Sequence, residues 1–197
     1  ACLVRTIAGE KEIVPVELYS GIDPASSLSA RSDFFVIATI AVDSEGNKYI
    51  VDIFREKINP ALQPDKIIDV FKRYRPKRMK VETTGYQEAL RQATRKLMME
   101  QGLYIAGLEK GVKPRNKKSE RLISLVPMLA KGQFYFRPRD LPAQQEFLSY
   151  PKGKHDDILD AIYYALDGHF PCRVKRDAFD PDKVVQKRNK VLDWLTM

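Results

Sequence analysis

The chain is expected to fold as one α/β domain on a mixed sheet flanked by helices. Three observations predict this. Three runs rich in Val, Ile, Tyr and Phe come first, joined by turn-forming residues. Short β-type runs then alternate with segments whose apolar residues recur at helical spacing. The length of 197 residues and a hydrophobic fraction of 44% suffice for one sizeable core.

In chain order, residues 1–15 are mixed in pattern and read as a linker or an edge strand. Residues 16–22 read as a strand that runs into Asp23, and 24–32, rich in Ser and Ala, as a loop. Residues 34–42 give a strong strand signal, 43–47 a turn, and 48–55 a third strand alternating Tyr49, Val51 and Ile53. These three strands form an antiparallel meander. Residues 64–74 place Ile67, Ile68, Val70 and Phe71 at helical spacing. Residues 78–82 are a short buried strand. Residues 86–101 are a helix that Gly102 stops. A strand is expected over 103–108, a helix over 119–131, a short strand over 133–136, and helices over 141–148 and 155–166. The crossover from the first strand to 78–82 can set the two side by side and parallel, with helices on the sheet faces. Residues 1–170 then form the folded domain, and 171–197 a basic tail with a short helix ending near Trp194.

The formal net charge of +8 points to a polyanionic partner, most commonly nucleic acid. A membrane is disfavoured: no basic amphipathic helix carries a continuous apolar face, and no apolar run approaches the roughly 18–20 residues of a span. Glu10, Lys11 and Glu12 interrupt any signal-peptide core. Cys2 and Cys172 give neither metal spacing nor a disulfide framework. The chain starts with Ala1 and is expected to be a fragment of something longer.

Three acidic positions fall at element ends. Asp23 follows Gly21-Ile22, Glu82 follows Val81, and Asp156, Asp157 and Asp160 open the last helix after His155. Carboxylates brought together repel one another and lose hydration, so they persist where a cation compensates. Hard oxygen donors suit Mg²⁺ or Mn²⁺. Two such ions, roughly 3.5–4 Å apart, activate a water and stabilise the leaving oxygen of a phosphodiester. Asp23, central on the sheet, is the natural bridge. Each acid also has an ordinary reading. Asp23-Pro24 is a turn signal, Glu82 leaves a strand for solvent, and Asp156, Asp157 and Asp160 suit a helix dipole. The conjunction carries the functional reading.

Gly21-Ile22-Asp23-Pro24-Ala25, Val81-Glu82-Thr83 and His155-Asp156-Asp157-Ile158-Leu159-Asp160-Ala161 together resemble the nuclease domain of a tailed-bacteriophage terminase large subunit. That resemblance implies an RNase H-like, RuvC-type fold over residues 19–166. It implies Asp23, Glu82 and Asp157 as catalytic metal-binding acids, with Asp156 the rival for the third place. Both Asp156 and Asp157 lie about one turn from Asp160, so spacing does not choose. Related resolvases carry an Asp three residues before the Asp-Ala, which favours Asp157. Asp160, His155 and Asp33 are accessory groups. The implied cofactor is a pair of Mg²⁺ or Mn²⁺ ions.

The segment 110–121 holds Lys113, Arg115, Lys117, Lys118 and Arg121, kept non-helical by Gly111 and Pro114. It is the first DNA-binding candidate, beside the ordinary reading of a solvated loop. The run Arg73, Arg75, Lys77 and Arg78 reads as solvated surface. Tyr135 and Phe136 with Arg137 and Arg139 form either a nucleic-acid surface or part of the core. No Gly-x-x-x-x-Gly-Lys-[Ser/Thr] motif is present. The resemblance therefore implies a nuclease half without the N-terminal packaging ATPase. The expected activity is metal-dependent endonucleolytic cleavage of concatemeric double-stranded viral DNA. The expected partners are a portal protein and a small terminase subunit, and the expected place is the host cell cytoplasm. A Holliday-junction-type resolvase and a non-catalytic DNA-binding module of the same fold are the rivals.

Overall fold

A central strand buried on both faces organises the molecule. The computed structural model describes residues 1–7, 10–26, 34–82, 86–109, 120, 123–153, 155–173 and 191–193. Strands β3 (Glu17–Asp23), β4 (Phe35–Val42) and β5 (Lys48–Glu56) form the expected antiparallel meander. The turn between β4 and β5 is tied by Asp43, whose carboxylate accepts from the Glu45 and Asn47 amides at 2.9 and 2.8 Å. β6 (Arg78–Val81) pairs parallel with β3, and β7 (Phe134–Tyr135) parallel with β5. The sheet order is β6-β3-β4-β5-β7.

Alternation along β4 splits the core in two. Phe35, Ile37 and Ala41 face one side, where α1 (Gln63–Tyr74) and α2 (Tyr86–Glu100) cover them with Ile67, Ile68, Phe71 and Leu90. Val36, Ala38, Ile40 and Val42 face the other side. There α4 (Leu141–Ser149) and α5 (Asp157–Leu166) supply Ala143, Ile158, Leu159 and Ile162. A short helix α3 (Val126–Ala130) precedes β7. Among the described residues no helix is long and apolar enough to cross a membrane.

Two expectations are corrected and one alternative is decided. Residues 103–108 do not form a strand. Gly107 adopts φ +94° and Leu108 N–H closes a turn onto Ile105 O, and among the described residues Met79 N–H reaches Ala106 O at 2.9 Å from β6. Residues 1–15 follow the edge-strand alternative and not the linker one: β1 (Cys2–Ile7) and β2 (Glu10–Pro15) pair antiparallel, with β2 at a sheet edge and Leu3 opposite Val14, both buried. Near the end of the chain, β8 (Val191–Asp193) is a strand parallel to β1 where a short helix is expected.

In the basic-aromatic stretch Phe136 packs on the core and Arg137 is buried, while Tyr135 and Arg139 are exposed. The Phe134, Phe136 and Phe147 rings pack on one another at 5.6–6.0 Å. Arg137, 3% exposed, donates from Nε and a terminal nitrogen to the Asp140 carboxylate at 3.0 and 2.9 Å, and also to Val51 O at 2.9 Å. Breaking a buried pair from one side leaves a buried charge without its counterion. Asp140→Ala is therefore expected to lose about 3–5 kcal/mol of stability. Chemical denaturation of the variant checks this, and a loss below about 1 kcal/mol would contradict it.

Candidate active site

Strand register places the first two acids. Ile22 of β3 stands beside Val81 of β6, so Asp23 and Glu82 follow at the same end of two adjacent parallel strands. Alternation then fixes their face. Ile22 and Val81 pack into the α1/α2 side of the core. Asp23 shares its side with Tyr19 and Gly21, which meet the α5 layer. Glu82 shares its side with Lys80, and both reach α5 or its end. The Tyr164 hydroxyl donates to Glu82 Oε2 at 2.5 Å, and Lys80 Nζ lies 2.5 Å from Asp167 Oδ2.

The helix that carries the remaining acids lies directly on β3. A Cβ on Gly21 would stand 1.9 Å from Ala161 O and 2.3 Å from Ala165 N. Asp157, Asp160, Ala161, Tyr164 and Ala165 repeat at three- and four-residue spacing and share the stripe turned to the sheet. That stripe buries Asp157 and Asp160, each 4% exposed. Asp156 is half-buried at the N-cap position, outside the helical turn, with no side-chain capping bond. The helix start lies toward the Asp23 end of β3, because Gly21 already meets Ala161, one turn after Asp157.

Asp157 is surrounded by His155, an accessory candidate from the sequence, and by Arg55 and Glu146, which the sequence analysis did not single out. Arg55 of β5 places a terminal nitrogen 3.9 Å from Asp157 Oδ2 and 3.6 Å from Glu146 Oε1. Its guanidinium lies 3.9 Å over the Phe34 ring. His155 Nδ1 lies 3.8 Å from Asp157 Oδ2, and its ring meets Phe34 edge-on. Glu146 of α4 supplies the cap that Asp156 does not. Its Oε2 accepts from the Ile158 and Leu159 amides at 2.9 and 3.4 Å. Burial pushes the Glu146 carboxyl up to about 7, against the Arg55 charge and the Ile158 amide, which both favour the ionised form.

The structure thus brings Asp23, Glu82, Asp157 and Asp160, with Asp156 and His155, to one end of the sheet. It does not close them into a ligand shell: among the described residues no three His, Cys, Asp or Glu side chains are grouped tightly enough to hold an ion. Glu82 is turned onto Tyr164, and Asp157 toward Arg55. Asp33, Lys113, Arg115, Lys117, Lys118 and Arg121 lie outside the described residues. Tyr164 was not singled out in the sequence as a site residue. It is fully buried, and its hydroxyl also holds Glu82. Glu146 was missed although it had a signal: it sits one turn from buried Ala143 and next to Phe147, a lone acid on an apolar stripe. Arg55, at the end of an alternating strand, carries no such signal.

Known proteins share this arrangement of elements. The nuclease domain of the P22 large terminase is 16% identical, with 76% of this chain and 79% of that one aligned at a TM-score of 0.57. The large terminase nuclease from thermophilic phage G20c with bound zinc is 18% identical over 80% of this chain and 88% of its own, at a TM-score of 0.60. The yeast mitochondrial Holliday junction resolvase Ydc2 is 15% identical over 77% and 78%, at 0.51. No curated protein sequence matches the chain. The five-stranded mixed sheet with helices on both faces is the RNase H-like fold of these nucleases. Residues 20–168 match the description "Terminase RNaseH-like domain", and the chain belongs to that family.

Proposed function

We propose that the chain is a divalent-metal-dependent endonuclease that cuts concatemeric double-stranded viral DNA during genome packaging. One observation carries the reading. Asp23 and Glu82 leave adjacent parallel strands on the same face, and α5 brings Asp157 and Asp160 to that end. The terminase nuclease-domain fold supports a nuclease role. The G20c nuclease, solved with bound zinc and with bound magnesium, supports dependence on a divalent ion.

The donor set fits a hard cation, being carboxylate oxygen throughout. Asp23, Glu82 and Asp157 would hold two Mg²⁺ or Mn²⁺ ions, with Asp156 or Asp160 in support. When bound, such ions activate water and stabilise the leaving oxygen of the phosphodiester. The protein's own part is positional. Tyr164 fixes Glu82, Gly21 lets α5 settle against Asp23, and Arg55 keeps a positive charge beside Asp157. Lys113, Arg115, Lys117, Lys118 and Arg121 would grip the DNA backbone, so binding would weaken with salt and read little sequence. A portal protein and a small terminase subunit would be its partners in the host cell cytoplasm.

The test is cleavage of supercoiled plasmid and of a four-way junction with Mg²⁺, Mn²⁺ or EDTA. Cleavage of plasmid with either metal and none in EDTA is expected. Preference for the junction would move the reading to a resolvase. DNA binding without cleavage under any metal would move it to a binding module.

A further inference from the structure

We infer that Glu146 is a positioning residue for the nuclease site, acting through the first turn of α5 and Arg55. The inference rests on the metal-site reading above. Three observations lead to it. Glu146 is a carboxylate on α4 that is 7% exposed, far from the sheet end by sequence yet inside the site. Its Oε2 holds the amides of Ile158 and Leu159, the two residues after Asp157. Its Oε1 faces Arg55, which bridges toward Asp157.

Each contact constrains Asp157 in a different way. A helix start leaves amides unsatisfied, and these fray unless an acceptor meets them. Asp156 stands at the N-cap position without a side-chain capping bond, so a neighbouring helix meets the need instead. Capping from α4 also ties the rotation of α5 to the α4 frame, and that rotation sets where Asp157 and Asp160 stand relative to Asp23. The Arg55 contact acts from the other side. The guanidinium is seated on Phe34 and held between two carboxylates, so it stays beside Asp157 and does not swing into solvent. Outer groups that orient ligating carboxylates commonly matter to metal affinity by 10–100-fold.

The test compares Mn²⁺ binding, read by titration calorimetry and by Mn²⁺ electron paramagnetic resonance, in wild type, Glu146→Gln and Glu146→Ala. Amide hydrogen exchange at Ile158 and Leu159 is followed in parallel. Glu146→Gln keeps an acceptor for the two amides, and Glu146→Ala removes it. The expected result is Mn²⁺ binding weakened roughly 10-fold or more in Glu146→Ala, with faster exchange at Ile158 and Leu159. Glu146→Gln is expected to restore protection of both amides and most of the Mn²⁺ affinity. Unchanged Mn²⁺ affinity in Glu146→Ala would overturn the inference while leaving the metal site intact. Equal loss of affinity in both variants, with the amides protected in Glu146→Gln, would overturn positioning through the cap. If Glu146→Ala does not fold, Arg55→Met carries the test, and wild-type Mn²⁺ affinity in it would overturn the Arg55 part. Absence of Mn²⁺ binding by wild type would overturn the metal-site reading, and this inference with it.

Discussion

Gly21→Ala is expected to lose at least about 3 kcal/mol of folding stability, and Gly21→Val to leave little folded protein. The reason lies in backbone packing. The added carbon would stand 1.9 Å from Ala161 O and 2.3 Å from Ala165 N. Neither atom belongs to a side chain that can rotate away, so α5 itself must lift off β3. That lift would also thin the packing of Ile158, Leu159 and Ile162 against Val36, Ala38 and Ile40. Gly102→Ala is the control. Its φ is +60° but no atom lies within 4 Å of its Cβ, so only the backbone penalty of about 1 kcal/mol is expected. Denaturant midpoints of the two variants separate the effects. Wild-type stability in Gly21→Ala would mean that α5 does not rest on β3. Any Gly21→Ala protein that still folds is expected to cleave poorly, since the same lift carries Asp157 away from Asp23.

Asp23→Asn is expected to reduce metal-dependent cleavage by at least about 10³-fold, the equivalent of roughly 4 kcal/mol of barrier. The amide keeps the shape of the side chain and removes the charge that would hold the proposed ions. Asp23 is half-buried at the end of β3, so thermal stability in EDTA is expected to stay within a few degrees of wild type. Single-turnover cleavage in saturating Mn²⁺, beside a thermal melt, reads both. A folded Asp23→Asn protein that cuts at the wild-type rate would remove Asp23 from the chemistry.

The parts of the fold visible in the sequence are those where local pattern and tertiary setting agree. β4 is a nearly unbroken apolar run, with only Thr39 polar, because both of its faces are covered, and α1 shows helical spacing because only one of its faces is. Residues 103–108 carry a strand-like run, but Gly107 adopts a positive φ that breaks it. Residues 1–15 hold apolar residues without a clean alternation, and their pairing as β1 and β2 depends on partners that local pattern cannot supply. The acids at element ends were legible because polar residues closing apolar runs stand out. Their common face was not read from the sequence, since it follows from the β3–β6 register. Arg55 was illegible for a related reason: it reaches the site from another strand, and contact, not spacing, defines its role, whereas Glu146 could be read as a lone acid on an apolar stripe but not as part of the site. Arg137 shows the converse, a basic residue beside aromatics that is spent on a buried pair with Asp140.

The central claim is that Asp23, Glu82 and an acid from the start of α5 hold divalent ions between β3, β6 and that helix. Anomalous diffraction from a crystal soaked in Mn²⁺ tests it most directly. The account predicts Mn²⁺ peaks bounded by the Asp23, Glu82 and Asp157 carboxylates. Density elsewhere, or none at this end of the sheet in saturating Mn²⁺, would contradict it.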